Sequence, residues 1–137
     1  MIDKMQGGCL CGAVRYEITA EPEAMGKCHC IDCQKATGSA YFPFVVVKED
    51  ALKVTGNFAE HESTGSSGKK VWRHFCKTCG SSVFNNGEYF AGTKAVHAGT
   101  LDNPKQFKPV VDIWVSQAVS WDILSPETAK VDGNPER

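Results

Sequence analysis

The sequence has no excess of basic residues. Its 15 lysines and arginines face 16 acidic residues, a formal net charge of −1. Lys69-Lys70 is the one notable basic pair. This balance gives no electrostatic footprint for a phosphate backbone, so nucleic acid is not an expected partner. Long apolar runs are also missing. None approaches the roughly 20 residues of a membrane span, so no membrane partner is expected either. Met1 to Gln6 lack the apolar stretch of a secretory signal, and a cytoplasmic location is expected. No helix of normal length, internal repeat or linker stands out, and no pattern sets an oligomeric state. The cysteines are not even in number. Seven of them argue against a closed disulfide framework and for thiolate–metal chemistry in a reducing compartment.

The cysteines fall as Cys9-x-Cys11, Cys28-x-Cys30-x-x-Cys33 and Cys76-x-x-Cys79. The central stretch, Lys27 to Gln34, holds three of them and His29 within six positions. Residues this close cannot easily bridge one another, because a disulfide wants Cα atoms about 5.5 Å apart in a set orientation. Three thiolates aimed at one centre repel strongly unless a cation joins them. Structural zinc is usually closed by four protein ligands, whereas catalytic zinc commonly has three and an open place. Seven ligands divide as four plus three. The outer pairs can close one four-thiolate site, with Gly80 after Cys79 as in a zinc knuckle. The central triad is left with three. It could instead be half of a structural site completed by His29 or another side chain. His29 lies between two ligands and would point away from a metal that both hold. His74 reads as part of a strand face, His61 as solvated, and His97 as the edge of a site.

Val14, Tyr16 and Ile18 alternate with Arg15, Glu17 and Thr19, the period of a half-buried strand. Pro22 and Gly26 are read as breaks before the central cluster. Asp32 to Thr37 predicts one helical turn with Gly38 as its stop. Tyr41 to Val47 is an aromatic and β-branched strand, with Pro43 at an edge or bulge. Leu52 and Val54 suggest a short strand ending at Gly56-Asn57. Ser63 to Lys70 reads as an exposed loop, and Val71 to Phe75 as a strand. Asn86-Gly87 predicts a hairpin between Ser82-Val83-Phe84 and Tyr89-Phe90. Val96 to Gly99 and Val110 to Val115 are further strands, with a turn over Leu101 to Pro104. These readings predict a mostly β fold of short antiparallel strands. They give one domain over residues 1–125 and a polar, frayed tail over 126–137.

Gly8-Cys9-Leu10-Cys11-Gly12-Ala13-Val14 and Cys28-His29-Cys30-Ile31-Asp32-Cys33-Gln34 resemble the glutathione-dependent formaldehyde-activating family, which shares a domain with centromere protein V. Phe75-Cys76-Lys77-Thr78-Cys79-Gly80-Ser81, Gly99-Thr100-Leu101-Asp102 and Asp112-Ile113-Trp114-Val115 with Trp121 extend the likeness over roughly residues 5–124. All seven cysteine positions match. The resemblance implies a β-tent zinc-stabilised fold and two zinc ions per chain. Cys9, Cys11, Cys76 and Cys79 would hold the structural one, and Cys28, Cys30 and Cys33 the reactive one. It also implies a carbon–sulfur lyase or synthase that joins glutathione, or another small thiol, to formaldehyde or a related small aldehyde. The product is S-hydroxymethylglutathione. No motif carries over for the glutathione contacts.

A zinc on three thiolates carries a formal charge of −1. It makes hydroxide poorly and favours a soft fourth ligand, such as an incoming thiol. The thiolate would attack the carbonyl, and a donor must meet the developing alkoxide. Ser39, Thr37, His97 or a backbone N–H are the candidates. Lys27 and Lys35 flank the triad, and Arg73 and Lys77 flank the second pair, as possible partners for the carboxylates of glutathione. The alternatives are a non-catalytic zinc-binding interaction module and a thiol or metal-relay protein.

Overall fold

A computed structural model describes residues 4–136. Its strands are β1 (Met5–Gly8), β2 (Arg15–Ile18), β3 (Ala24–Cys28), β4 (Phe42–Lys48), β5 (Leu52–Thr55), β6 (Phe58–Thr64), β7 (Lys70–Cys76), β8 (Ser82–Gly87), β9 (Thr93–His97), β10 (Val111–Ile113) and β11 (Ala129–Lys130). A helix of two turns, α1 (Ile31–Thr37), interrupts them. β1, β2 and β5 form a small antiparallel sheet. The other strands form one large sheet in the order β11-β10-β3-β4-β9-β8-β7-β6. The fold is mostly β, as expected. The large sheet is mixed rather than purely antiparallel, because β10 pairs parallel to both β3 and β11.

Side-chain alternation builds two apolar layers. Tyr16 and Ile18 from the small sheet meet Val45, Val47 and Val96 from the large one. Val14, Val45, Val47 and Val96 are fully buried there. Each such side chain stabilises the fold by roughly 1.5–3 kcal/mol relative to exposure. Phe42, Phe44 and Ile113 turn to the opposite face of the large sheet, where they pack with Cys28 and Cys33.

Several boundaries differ from expectation. Gly26 does not break the chain but lies inside β3, paired with Phe44 and Val111. A Cβ there would sit 2.5 Å from the Val111 carbonyl oxygen and 2.7 Å from Phe44 Cζ. Only glycine lets β10 and β4 flank β3 this closely. Asn86-Gly87 is not a turn, since both residues remain in β8 opposite Trp72 and Val71. The turn falls over residues 88–92, so Tyr89 and Phe90 are not a strand. The expected loop 63–70 shrinks to a tight turn, because Thr64 already pairs with Lys70. β9 pairs with β4 only from Phe44 onward, which leaves Pro43 at a one-sided position. The tail is not frayed: β11 pairs with β10, and the Val131 N–H donates to the Asp112 carbonyl at 2.9 Å.

Gly26→Ala should lower unfolding free energy by about 1–3 kcal/mol, the usual penalty of overpacking. Gly65→Ala, whose Cβ would meet only atoms 3.6 Å away, should stay within about 0.5 kcal/mol. Urea denaturation of both variants checks the contrast.

Candidate functional site

The seven cysteines gather into two groups. The sulfurs of Cys9, Cys11, Cys76 and Cys79 lie within 4.8 Å of one another, and so do those of Cys28, Cys30 and Cys33. The four-cysteine group sits where the β1–β2 turn meets the β7–β8 turn, and it ties the two sheets together. The Leu10 N–H donates across this junction to Ser81 Oγ at 3.0 Å. Backbone N–H groups also point at sulfur. Val14 N–H reaches Cys9 Sγ at 3.2 Å, and Thr78 N–H reaches Cys76 Sγ at 3.3 Å. Gly80, at φ 78°, makes the turn back to β8 possible. Ser81 beside Cys79 holds that thiol down at about 5. The hydrogen bond from Val14 N–H lowers Cys9. Donors aimed at sulfur favour thiolates, and four sulfurs within this distance fit a single soft metal ion.

The triad is built by three local devices. Cys28 ends β3, Cys30 caps the N-terminus of α1, and Cys33 lies in the first helical turn. Cys30 Sγ accepts from the Cys33 N–H at 3.3 Å. Gly38, at φ 68°, stops the helix as expected. Hydrogen bonds from Cys28 and Cys33 hold Cys30 down at about 3, with the nearby Arg73 charge adding to the effect. The Cys30 contact, the Cys33 contact and burial push Cys28 up. Contact with Cys28 lowers Cys33, but Cys30 and burial outweigh it and raise Cys33 to about 12. The metal-free triad is therefore one thiolate shared between two thiols, and its three sulfurs could hold a metal ion.

A brace behind the triad escaped the sequence reading. His29 points away from the sulfurs, but into the interior, and neither it nor Asp112 is exposed. His29 Nε2 lies 2.7 Å from Asp112 Oδ1. Thr128 Oγ1 donates to Asp112 Oδ2, and Lys130 Nζ lies 3.5 Å from the same oxygen. Burial pushes Asp112 up, but the bonds from His29 and Thr128 outweigh it and hold the carboxyl below its ordinary value. Gln34 Nε2 donates to the carbonyls of His29 and Gln117, at 2.8 and 2.9 Å. Gln117 Oε1 accepts from the Ile31 N–H at 2.8 Å. The dense cysteine spacing drew attention to the loop itself. Its partners, 83 residues away or more, carried no local signal.

All three triad cysteines open onto a cleft of about 440 Å³ on the large sheet's second face. Phe42, Phe44, Val46 and Ile113 line it, together with Arg73 and Asn85. Arg73, expected beside the Cys76 pair, instead faces the triad's cleft. Its Nη1 donates to Ser63 Oγ at 2.9 Å. Lys69 and Lys70, read as a loop, stand on the rim. Lys27 lies over the Tyr41 ring at 4.9 Å, and neither Lys27, Lys35 nor Lys77 lines the cleft. The candidate donors Thr37, Ser39 and His97 do not line it either. Thr37 Oγ1 donates to the Cys33 carbonyl at 2.8 Å, and His97 Nδ1 accepts from the Gly99 N–H at 3.0 Å. One wall is the chain terminus, where Trp114 Nε1 donates to Asn134 Oδ1 at 2.8 Å. Trp114 holds φ 57°, a conformation that costs a bulky residue about 1–3 kcal/mol.

A mostly β fold with one thiol cluster locking its sheets and a second opening onto a cleft defines a thiol-rich β protein with metal-ligand spacing. The chain belongs to the family of glutathione-dependent formaldehyde-activating enzymes, whose model matches residues 4–117. A Penicillium rubens protein provisionally named for that activity is 30% identical over 116 residues, 81% of this chain and 60% of its own length. A Halomonas elongata protein with the same provisional name is 30% identical over 89 residues, 58% of this chain and 54% of its own. An uncharacterized lyase of Schizosaccharomyces pombe is 25% identical over 79 residues, 58% of this chain and 55% of its own. The chain thus spans little more than half the length of these relatives. The crystal structure of a Rhodobacter sphaeroides protein matches with a TM-score of 0.57 at 25% identity, covering 74% of this chain and 94% of that one. No helix among the described residues is long and apolar enough to cross a membrane.

Zinc loading of the triad should release about two protons per ion at pH 7, since two of its three sulfurs start protonated. Affinity should fall as pH is lowered. Calorimetry in buffers of different ionisation heat, on the wild type and on Cys33→Ser, measures this. Release near zero would mean that all three sulfurs are already ionised.

Proposed function

We propose that this protein joins a thiol to a small aldehyde and splits the same carbon–sulfur bond in reverse. Glutathione and formaldehyde, giving S-hydroxymethylglutathione, are the reference pair. The observation that carries this reading is that three cysteine sulfurs face an open cleft instead of a closed core. A purely structural module would have no use for that opening. Cys9, Cys11, Cys76 and Cys79 would hold a structural zinc, and Cys28, Cys30 and Cys33 a second one. When bound at the triad, zinc supplies a soft cation that favours the thiolate form of a thiol at neutral pH. Free thiols of this kind persist in a reducing compartment, consistent with the cytoplasm.

The chain's own groups do the rest. The His29–Asp112 brace sets where the three sulfurs stand. Arg73 places a positive charge close enough to lower Cys30. The same charge favours a substrate thiolate and the oxyanion that follows it. Phe42, Phe44, Val46 and Ile113 give the cleft beside the sulfurs an apolar lining. The thiolate sulfur adds to the carbonyl carbon, the C=O π pair moves to oxygen, and oxygen takes the proton that the thiol released.

Exchange spectroscopy by NMR between glutathione and its hydroxymethyl adduct tests the reading. Wild-type protein should raise the exchange rate at least about tenfold over the uncatalysed reaction, a drop of about 1.4 kcal/mol in barrier. Cys33→Ser should return it to the background. Equal rates with both proteins would remove the triad from the chemistry.

The two clusters should also differ in what their loss does. Structural zinc contributes about 10–16 kcal/mol of apparent binding energy, against a total domain stability of about 5–15 kcal/mol. Cys76→Ser should therefore give insoluble or unfolded protein. In Cys33→Ser, Gln34, Gln117 and His29 still hold the loop. That variant should fold and carry about one zinc, against about two in the wild type. Circular dichroism and elemental analysis compare them.

A further inference from the structure

Formaldehyde carries only one carbon and one oxygen, whereas the cleft beside the triad holds about 440 Å³. Charged residues of both signs line its sides, with Arg73 near Cys30: Lys69, Lys70 and Arg73 against Glu23, Asp32 and Glu136. The floor is different. Phe42, Phe44 and Val46 of β4, Ala95 of β9, and Val111 and Ile113 of β10 share one sheet face. That surface begins at the sulfurs, because Cys28 and Cys33 pack in the same apolar cluster as Phe42, Phe44 and Ile113. A zwitterionic tripeptide can meet the charged sides, but laying its charges on this floor would desolvate them without partners. An apolar group next to the carbon that joins sulfur would lie on it directly. The shape also keeps the floor open. Ala95, on the same face as Val46, has the shortest side chain of the six floor residues. The strained backbone of Trp114 is held in place at the wall by Asn134 and Gly133.

We propose that the aldehyde substrate carries an apolar substituent, the size of a benzyl group or a medium-length alkyl chain, that packs on this floor. The inference rests on the thiol–aldehyde reading above. Its chemical step is the same addition: the C–S bond forms, the C=O bond becomes C–OH, and the sulfur proton ends on oxygen. No oxidant or reductant is consumed.

Two measurements test it on the zinc-loaded full chain. The first is calorimetric binding of two stable thioethers, S-methylglutathione and S-(2-phenylethyl)glutathione. The phenylethyl compound should bind at least about tenfold tighter. Ala95→Phe, which fills the floor, should reduce that preference to about twofold or less. Val46→Trp serves if Ala95→Phe does not fold, with melting temperature and zinc content as controls. The second is adduct exchange with three pairs: glutathione with formaldehyde, glutathione with phenylacetaldehyde, and 2-phenylethanethiol with formaldehyde. A gain for phenylacetaldehyde of about tenfold in kcat/KM over formaldehyde supports the proposal. If formaldehyde exchange is accelerated but the two thioethers bind equally, the apolar-substituent inference is wrong and the thiol–aldehyde reading stands. A gain only with 2-phenylethanethiol assigns the floor to the thiol and overturns the proposal. No acceleration with any pair removes the thiol–aldehyde reading and this inference with it.

Discussion

Along β4, Val45 and Val47 point into the layer between the sheets, while Phe42, Phe44 and Val46 point the other way. This follows from the two-residue period of a strand, and no local change can remove it. The small sheet covers only the first of these faces. The second is closed in part by α1, by the segment after β10 and by the chain terminus, and between them the cleft remains. A sheet with two apolar faces and one full partner therefore creates the cavity, and β3 delivers Cys28 to its edge.

The thiol clusters answer two different physical demands. The four-cysteine group stands where two turns from separate sheets converge, with Cys9 and Cys76 buried in the layer between them. Backbone donors around the sulfurs prepare negative charge that a cation would neutralise. The triad needs no such corner. Its sulfurs are positioned by one strand end and one helix cap, and the loop is stiffened from behind by His29 and Asp112. The same three residues can thus face a cleft without the loop collapsing into it.

Arg73 shows how strand pairing can redirect a side chain's role. It lies three residues before Cys76, and sequence distance alone assigns it to that cluster. In β7, however, Arg73 and Cys76 differ by an odd number of positions, and the register of the strand is irregular between His74 and Phe75. Arg73 faces the cleft, opposite Asn85 of β8, while Cys76 is buried in the layer between the sheets. Asn86-Gly87 misled in a similar way. Asn-Gly favours a tight turn, but pairing with Trp72 and Val71 of β7 keeps both residues in the sheet. The polar tail likewise took its strand from long-range pairing with β10 and not from its own composition.

Cysteine spacing alone marked Cys28, Cys30 and Cys33 as one group and Cys9/Cys11 and Cys76/Cys79 as two pairs, because residues a few positions apart can reach one point only from a short set of loops and caps; the meeting of the two pairs was decided by the tertiary structure. The alternation of Tyr16 and Ile18, the β-branched run of Val45 to Val47 and the Gly38 stop of α1 were legible for the same reason: each is decided within a few residues. Tertiary structure alone decided that Asp112 braces His29, that Arg73 belongs to the triad's cleft and that residues 129–130 complete the sheet. Each of these depends on strand register and on contacts between segments far apart in the chain. Such contacts are selected by burial and hydrogen-bond pairing of the whole fold, and no local pattern encodes them.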